Sequence, residues 1–215
     1  MSAERIDLFS LLEDPTCASM RSIASRIEAG EVFIYPTDTI YGVGARFDSS
    51  CARKKIASIK KREPAQPMIL LGARLETFSM LNPTFSPAAR QCAEIFWPGL
   101  LTMLLPTQSG VEGVAIRVSD HPFVRKLSDI LDVPLISTSA NMSGVPYDPD
   151  PDLIYTLFRD LVDFMIDAGR LPLSQASTIV EFPLEGEPAV LREGCISSKD
   201  IASAIRGDFH RSKLP

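Results

Sequence analysis

The stretch VFIYPTDTIYGVGA, from Val32 to Ala45, governs how the rest of the chain reads. Val32, Phe33, Ile34 and Tyr35 form a short β-branched and aromatic run, the composition of a buried strand. Pro36 has no N–H to give to a ladder, so pairing should stop there. Thr37, Asp38 and Thr39 follow, then Tyr41 and the glycines Gly42 and Gly44. A strand that empties into hydroxyls and glycines at its carboxyl end is where open α/β sheets hold ligands. The pattern therefore predicts a glycine loop whose backbone approaches a small polar ligand. An ordinary turn after a core strand fits the same letters, because the third glycine of a dinucleotide fingerprint is missing.

Outward from that stretch, apolar periodicity and turn residues alternate along the chain. Upstream, Asp14-Pro15 reads as a helix start, Met20, Ile23, Ala24 and Ile27 recur at helical spacing, and Gly30 is the stop. Downstream, Asp48 is the candidate cap of a strongly basic helix carrying Ala52, Ile56 and Ile59 on one face. Strands are predicted over 68–71, 100–105, 114–118, 133–136, 164–166, 178–180 and 189–191, the last two forming a hairpin across Glu185-Gly186. Helices are predicted at 75–81, after Ser86-Pro87, after Asp120, after the proline-rich 148–151, and after Ser198. Strands alternating with helices in this way make an α/β chain with a mixed sheet.

The 215 residues are 45% hydrophobic and 23% charged, enough for one sizeable core and one domain, residues 1–215. A net charge of −5 excludes a chain that coats nucleic acid or an anionic membrane by bulk charge. Cys17, Cys51, Cys92 and Cys195 are scattered and form no CxxC pair, so reduced, mostly buried thiols are expected. The acidic start has no apolar h-region and no run reaches membrane-spanning length, so a soluble cytoplasmic protein is expected.

Lys60 and Arg62 stand two apart where the basic helix ends and Pro64 enforces extended chain. Residues two apart in extended backbone share a side, so both cations are expected to converge on one anion such as a phosphate. A solvated helix face is the alternative, and Lys54 and Lys55 fit that. Ser137, Thr138, Ser139 and Asn141 place three hydroxyls and an amide at a strand end, suited to a ribose, phosphate or carboxylate, or to a self-satisfying turn. Arg117 interrupts the apolar run Val114–Val118 and needs a partner if it points inward. Arg192 follows another apolar strand. His121 reads as a helix-start residue and His210 as part of a polar tail. HExxH, Walker, GxSxG and RNA-binding signatures are all missing, and no protein metal site is expected.

The ordered motifs PTDTIYGVGA, KKREPAQPMILL, WPGLLT, VAIRVSDHP, STSANMSG, STIVEF and VLREG resemble the YrdC-like proteins, specifically the threonylcarbamoyl-AMP synthases of tRNA modification. The resemblance is strongest over residues 30–196, with 207–215 as a flexible tail. It implies one α/β domain whose twisted mixed sheet and flanking helices surround a basic concave cavity. It also implies synthesis of threonylcarbamoyl-AMP and pyrophosphate from L-threonine, bicarbonate (or carbon dioxide) and ATP. Magnesium would enter with the ATP, and a tRNA threonylcarbamoyl transferase complex would take the product. On the family's motifs, Lys60, Arg62, Ser139 and Asn141 are the implied catalytic set, and with Gln66 and Arg192 they would bind ATP. Thr39, Arg117, Ser137 and Ser177 would hold threonine, Arg117 against its carboxylate. This chain departs from the family pattern at Leu71, where some members carry histidine, at Gln66, where asparagine is common, and at Tyr147, where a small hydroxyl residue is frequent. A weak tRNA contact by the synthase is a further expectation, and the competing reading is a YrdC-like paralogue that binds RNA in the same cavity without synthase activity.

Overall fold

The computed structural model describes residues 2–14, 16–61, 68–108, 113–172 and 174–209. The apolar run after Gly30 is a strand as expected, β2 (Phe33–Tyr35), and it stops at Pro36. The glycine segment is not a loop. Gly42–Arg46 is itself a strand, β3, antiparallel to β2 in the register Phe33↔Gly44 and Tyr35↔Gly42. In a strand alternate residues share a face, so Gly42 and Gly44 lie on the face of Phe33 and Tyr35 while Val43 and Ala45 face the other way.

Ten strands form one mixed sheet among the described residues. An amino-terminal strand β1 (Glu4–Asp7) and helix α1 (Leu8–Glu13) come first, and the strand carries little sequence signal because three of its four residues are charged. Then follow α2 (Ala18–Glu28), the basic helix α3 (Ser50–Ile59), β4 (Ile69–Gly72) and a 3₁₀ turn at Leu75–Leu81. Next come α4 (Pro87–Phe96), β5 (Leu101–Leu105), β6 (Val114–Val118), α5 (Pro122–Ser128) and β7 (Leu135–Ser139). The chain closes with α6 (Pro151–Phe158), β8 (Phe164–Asp167), the antiparallel pair β9 (Thr178–Glu181) and β10 (Ala189–Arg192), and α7 (Ser198–Arg206). The sheet order is β1-β8-β2-β3-β7-β4-β6-β5-β9-β10.

Several helix caps sit one or more residues from their expected places. Ser49 caps α3 by accepting from Ala52 N, leaving Asp48 to pair with Arg46 at 2.6 Å. Ser197 rather than Ser198 caps α7. Asp14 accepts from Thr16 N and Ser19 N, so the helix after it begins only at Ala18; Pro15 lies outside the described residues. Of the four thiols only Cys92 is buried, which pushes its pKa up to about 12; Cys51 is exposed. The expected tail is partly anchored: Gly207 closes α7 and the Phe209 ring packs 5.2 Å from Phe96, while residues 210–215 lie outside the described set. Among the described residues no helix is long and apolar enough to cross a membrane.

Two cores divide the sheet's faces. One gathers Ala52 and Ile56 of α3, Cys92 of α4, Phe158 of α6 and Ile201 of α7 against Val43, Ile116 and Ile136. The other gathers Leu8, Met20, Ile27, Phe123 and Leu127 of α1, α2 and α5 against Phe33, Tyr35, Leu71 and Leu135. Leu71 of this second core also lines a cavity, which places the cavity on that face of the sheet.

Candidate functional site

β7 runs through the middle of that face, between β3 and β4. Ser137, Thr138 and Ser139 are not past its end, as expected, but within it, paired with Gly44, Val43 and Gly42. The hydroxyls of Ser137 and Ser139 alternate with Leu135 on one side, and there they line an inner cavity of about 170 Å³. Thr37, Thr39 and Ser177 add further hydroxyls, Leu71 and Ile69 an apolar wall, and Arg117 and Arg192 the charge. No carboxylate lines it among the described residues. An outer cavity of about 430 Å³ adjoins it through Ile40, Ser139, Ala176 and Arg192, and adds Asn141 and Tyr147. Ser139 and Arg192 belong to the walls of both compartments.

Arg117 is 5% exposed, so it points inward and needs the partner that the sequence called for. Its guanidinium pairs with the Asp38 carboxylate and donates to Thr39 Oγ1 at 2.9 Å and Gly99 O at 2.9 Å. Asp38 also accepts from Ser119 Oγ at 2.8 Å. In the sequence Asp38 is marked only as a member of a polar cluster. Its structural task is to fix the arginine fork, so that the cation holds one orientation beside the cavity. Thr37 Oγ1 and Thr39 Oγ1 lie 3.0 Å apart and complete this corner. Ser177 Oγ is 2.7 Å from Thr102 Oγ1, and Arg192 donates to Ser177 O at 2.7 Å.

Lys60 departs from its expected geometry. It has helical backbone at the carboxyl cap of α3, and Lys61 turns left-handed at φ 48°, so the argument from extended alternation does not hold there. Its side chain, 2% exposed, donates to Ser139 O at 2.9 Å, Asn141 O at 2.5 Å and Asn141 Oδ1 at 3.0 Å. Ser139 Oγ in turn donates to Asn141 Oδ1 at 2.5 Å, and Asn141 Nδ2 to Val145 O at 2.6 Å. Among the described residues Lys60 lines neither cavity; it stands behind Ser139 and Asn141, which do. Arg62 and Gln66 lie outside the described residues. Tyr147 Oη accepts from Tyr41 N at 3.0 Å, so the departure at that position ties the outer cavity's wall to the segment after Thr39.

His121 caps α5 through Nδ1, which accepts from Phe123 N at 3.3 Å. Burial holds its pKa below the ordinary value; Asp38 opposes that shift and Arg117 adds to it. The lowered pKa favours the neutral ring, the form in which Nδ1 can accept. The unfolded chain binds this proton at higher pH, so the contribution is complete above about 6.5 and is lost as pH falls from there toward the folded value. His121→Asn, which keeps a capping acceptor without the titration, should flatten the fall in urea stability between pH 7.5 and 5.5. An equally steep fall in that variant would move the titration to another group.

A model of the Sua5–YciO–YrdC family, described as telomere recombination, matches residues 25–194. The chain is 30% identical to a threonylcarbamoyl-AMP synthase of Pyrococcus abyssi, over 86% of this chain and 57% of that one. It is 35% identical to the threonylcarbamoyl-AMP synthase of Pseudoalteromonas atlantica, over 67% of this chain and 84% of that one. The structure of P. abyssi Sua5 complexed with L-threonine superposes with a TM-score of 0.81 at 27% identity, covering 98% of this chain and 62% of that one. The chain therefore spans less than two thirds of the Pyrococcus protein's length. With the family model covering most of its length, the chain belongs to the Sua5–YciO–YrdC family.

Proposed function

We propose that the protein is an L-threonylcarbamoyladenylate synthase, the inner cavity holding threonine and the outer one ATP. The observation that carries this reading is the joined pair of compartments, one small and rich in hydroxyls and arginine, one larger, meeting at Ser139 and Arg192. The named relatives, and the threonine-bound structure of one of them, support it.

Arg117, oriented by Asp38, faces the amino-acid carboxylate, and Thr39, Ser137 and Ser177 supply hydroxyls around it. Leu71 offers the threonine methyl an apolar wall. The threonine amine adds carbon dioxide, and a carbamate oxygen then attacks the α-phosphorus of ATP with pyrophosphate leaving. Such a step needs positioning and charge compensation more than a protein nucleophile. Arg192 supplies a cation where the cavities meet; Arg62 is proposed as a second on its motif alone. Lys60 acts through Ser139 and Asn141, whose places it fixes. Magnesium would enter as a companion of the ATP phosphates, with Glu193 the one carboxylate that lines the outer cavity among the described residues. A single YrdC-like domain in the cytoplasm, passing its product to a tRNA-modifying transferase, completes the proposal.

The test uses purified protein, ATP, Mg²⁺, bicarbonate and threonine without RNA, following pyrophosphate and seeking the labile adenylate by mass spectrometry. Pyrophosphate release that requires both threonine and bicarbonate is the expected result. Release indifferent to both, together with salt-sensitive binding of structured RNA, would replace the synthase with the binding module.

A further inference from the structure

Tyr35 Oη is buried and has no hydrogen-bond partner among the described residues. The whole residue is at 0% exposure. Its ring leans from β2 across β3, where Gly44 and Gly42 leave the face bare, toward β7. A Cβ at Gly42 would lie 3.5 Å from Tyr35 Cε1 and 3.1 Å from Ser137 Oγ, so the ring and the serine hydroxyl flank the same point of the sheet. Burial drives the phenol's pKa up, and Ser137 is near enough to pull it partly back, yet the pair falls short of hydrogen-bond geometry. Ser137 itself lines the inner cavity.

A buried, unpartnered hydroxyl destabilises the state that contains it, and phenylalanine would fill the same space without that penalty. The hydroxyl must find its partner in another state, and the neighbour that can move is a serine facing the ligand. We propose that Tyr35 is a positioning residue: on ligand entry its phenol donates to Ser137 Oγ, which turns the serine's own O–H toward the ligand's carboxylate or hydroxyl. A serine hydroxyl has one donor and two acceptor sites, so a donor arriving from behind fixes which way its proton points. No proton is transferred. The inference rests on the reading of the inner cavity as an amino-acid site.

The experiment titrates L-threonine by calorimetry into wild type, Tyr35→Phe, Ser137→Ala and the double variant, and measures melting of each without ligand. Tyr35→Phe should melt no lower than wild type, yet bind threonine about fivefold more weakly, the size of one net hydrogen bond. In the Ser137→Ala background the same change should have no further effect on binding. Wild-type affinity in Tyr35→Phe, a lower ligand-free melting temperature, or an undiminished loss in the Ser137→Ala background would each overturn the role. A wild-type protein that binds no threonine would instead overturn the amino-acid reading of the cavity, and this role with it.

Discussion

Replacing Lys60 by methionine should cut threonine-dependent pyrophosphate release by about 100-fold, the scale on which loss of a positioning group away from the chemistry slows a reaction. Methionine keeps an unbranched apolar stem in the buried channel but removes the ammonium. Ser139 O, Asn141 O and Asn141 Oδ1 then lose a charged donor 2.5–3.0 Å away, in a place where Lys60 itself is almost wholly buried. Unsatisfied buried acceptors cost about 1–3 kcal/mol each, so urea stability should fall by about 3 kcal/mol together with activity. Because both cavity-lining partners border the outer compartment, the ATP requirement should rise more than the threonine requirement. Near-normal turnover would remove Lys60 from the working site. A loss confined to threonine affinity would place its effect in the inner cavity instead.

Gly44→Ala should be the most damaging single methyl group in the sheet. A Cβ there would stand 2.4 Å from Tyr35 Cε1 and 3.0 Å from Ile136 O. One obstacle is a fully buried ring and the other a carbonyl of the neighbouring strand, so neither gives way cheaply. A loss of about 3 kcal/mol, or failure to fold, is expected from overpacking of this severity. Gly42→Ala meets first the Ser137 hydroxyl at 3.1 Å, a small rotatable group, and should be milder. Thermal unfolding of Gly44→Ala in a Tyr35→Ala background provides the check. If the ring is the obstacle, the second substitution should absorb most of the first one's penalty. Additive losses would transfer the clash to the backbone.

The same two glycines explain where reading the sequence stopped short. β2, β4 and β6 were legible because their apolar, β-branched runs state their own burial. β3 was not, since glycine carries no strand preference and its reason for being there is a ring on another strand. Ser137, Ser139, Thr39, Arg117, Ser177 and Arg192 were singled out by residue type and motif, and the fold brings all of them to one cavity. Their interlocking was not legible. Arg117 meets Asp38 from 79 positions away, and Lys60 meets Asn141 from 81. Local alternation cannot see such pairs, so the oxygens of Ser139 and Asn141 that Lys60 holds could not be read from its neighbours in sequence. Asp38 and Tyr35 escaped notice for a related reason: one looked like a turn residue and the other like core, and each acts through a neighbour.

β7 pairs at Ser137 with Gly44 on one side and Ile69 on the other. At Ser137, flanked on both edges, the main chain belongs to the ladder, so what this residue can offer an incoming molecule resides in its side chain. Exchanging Ser137 for alanine, threonine or cysteine therefore alters chemistry without asking the backbone to move. Selectivity at this position is open to adjustment in single substitutions, each close to neutral for the sheet, whereas a binding loop that works through its own amides must be rebuilt to change its preference.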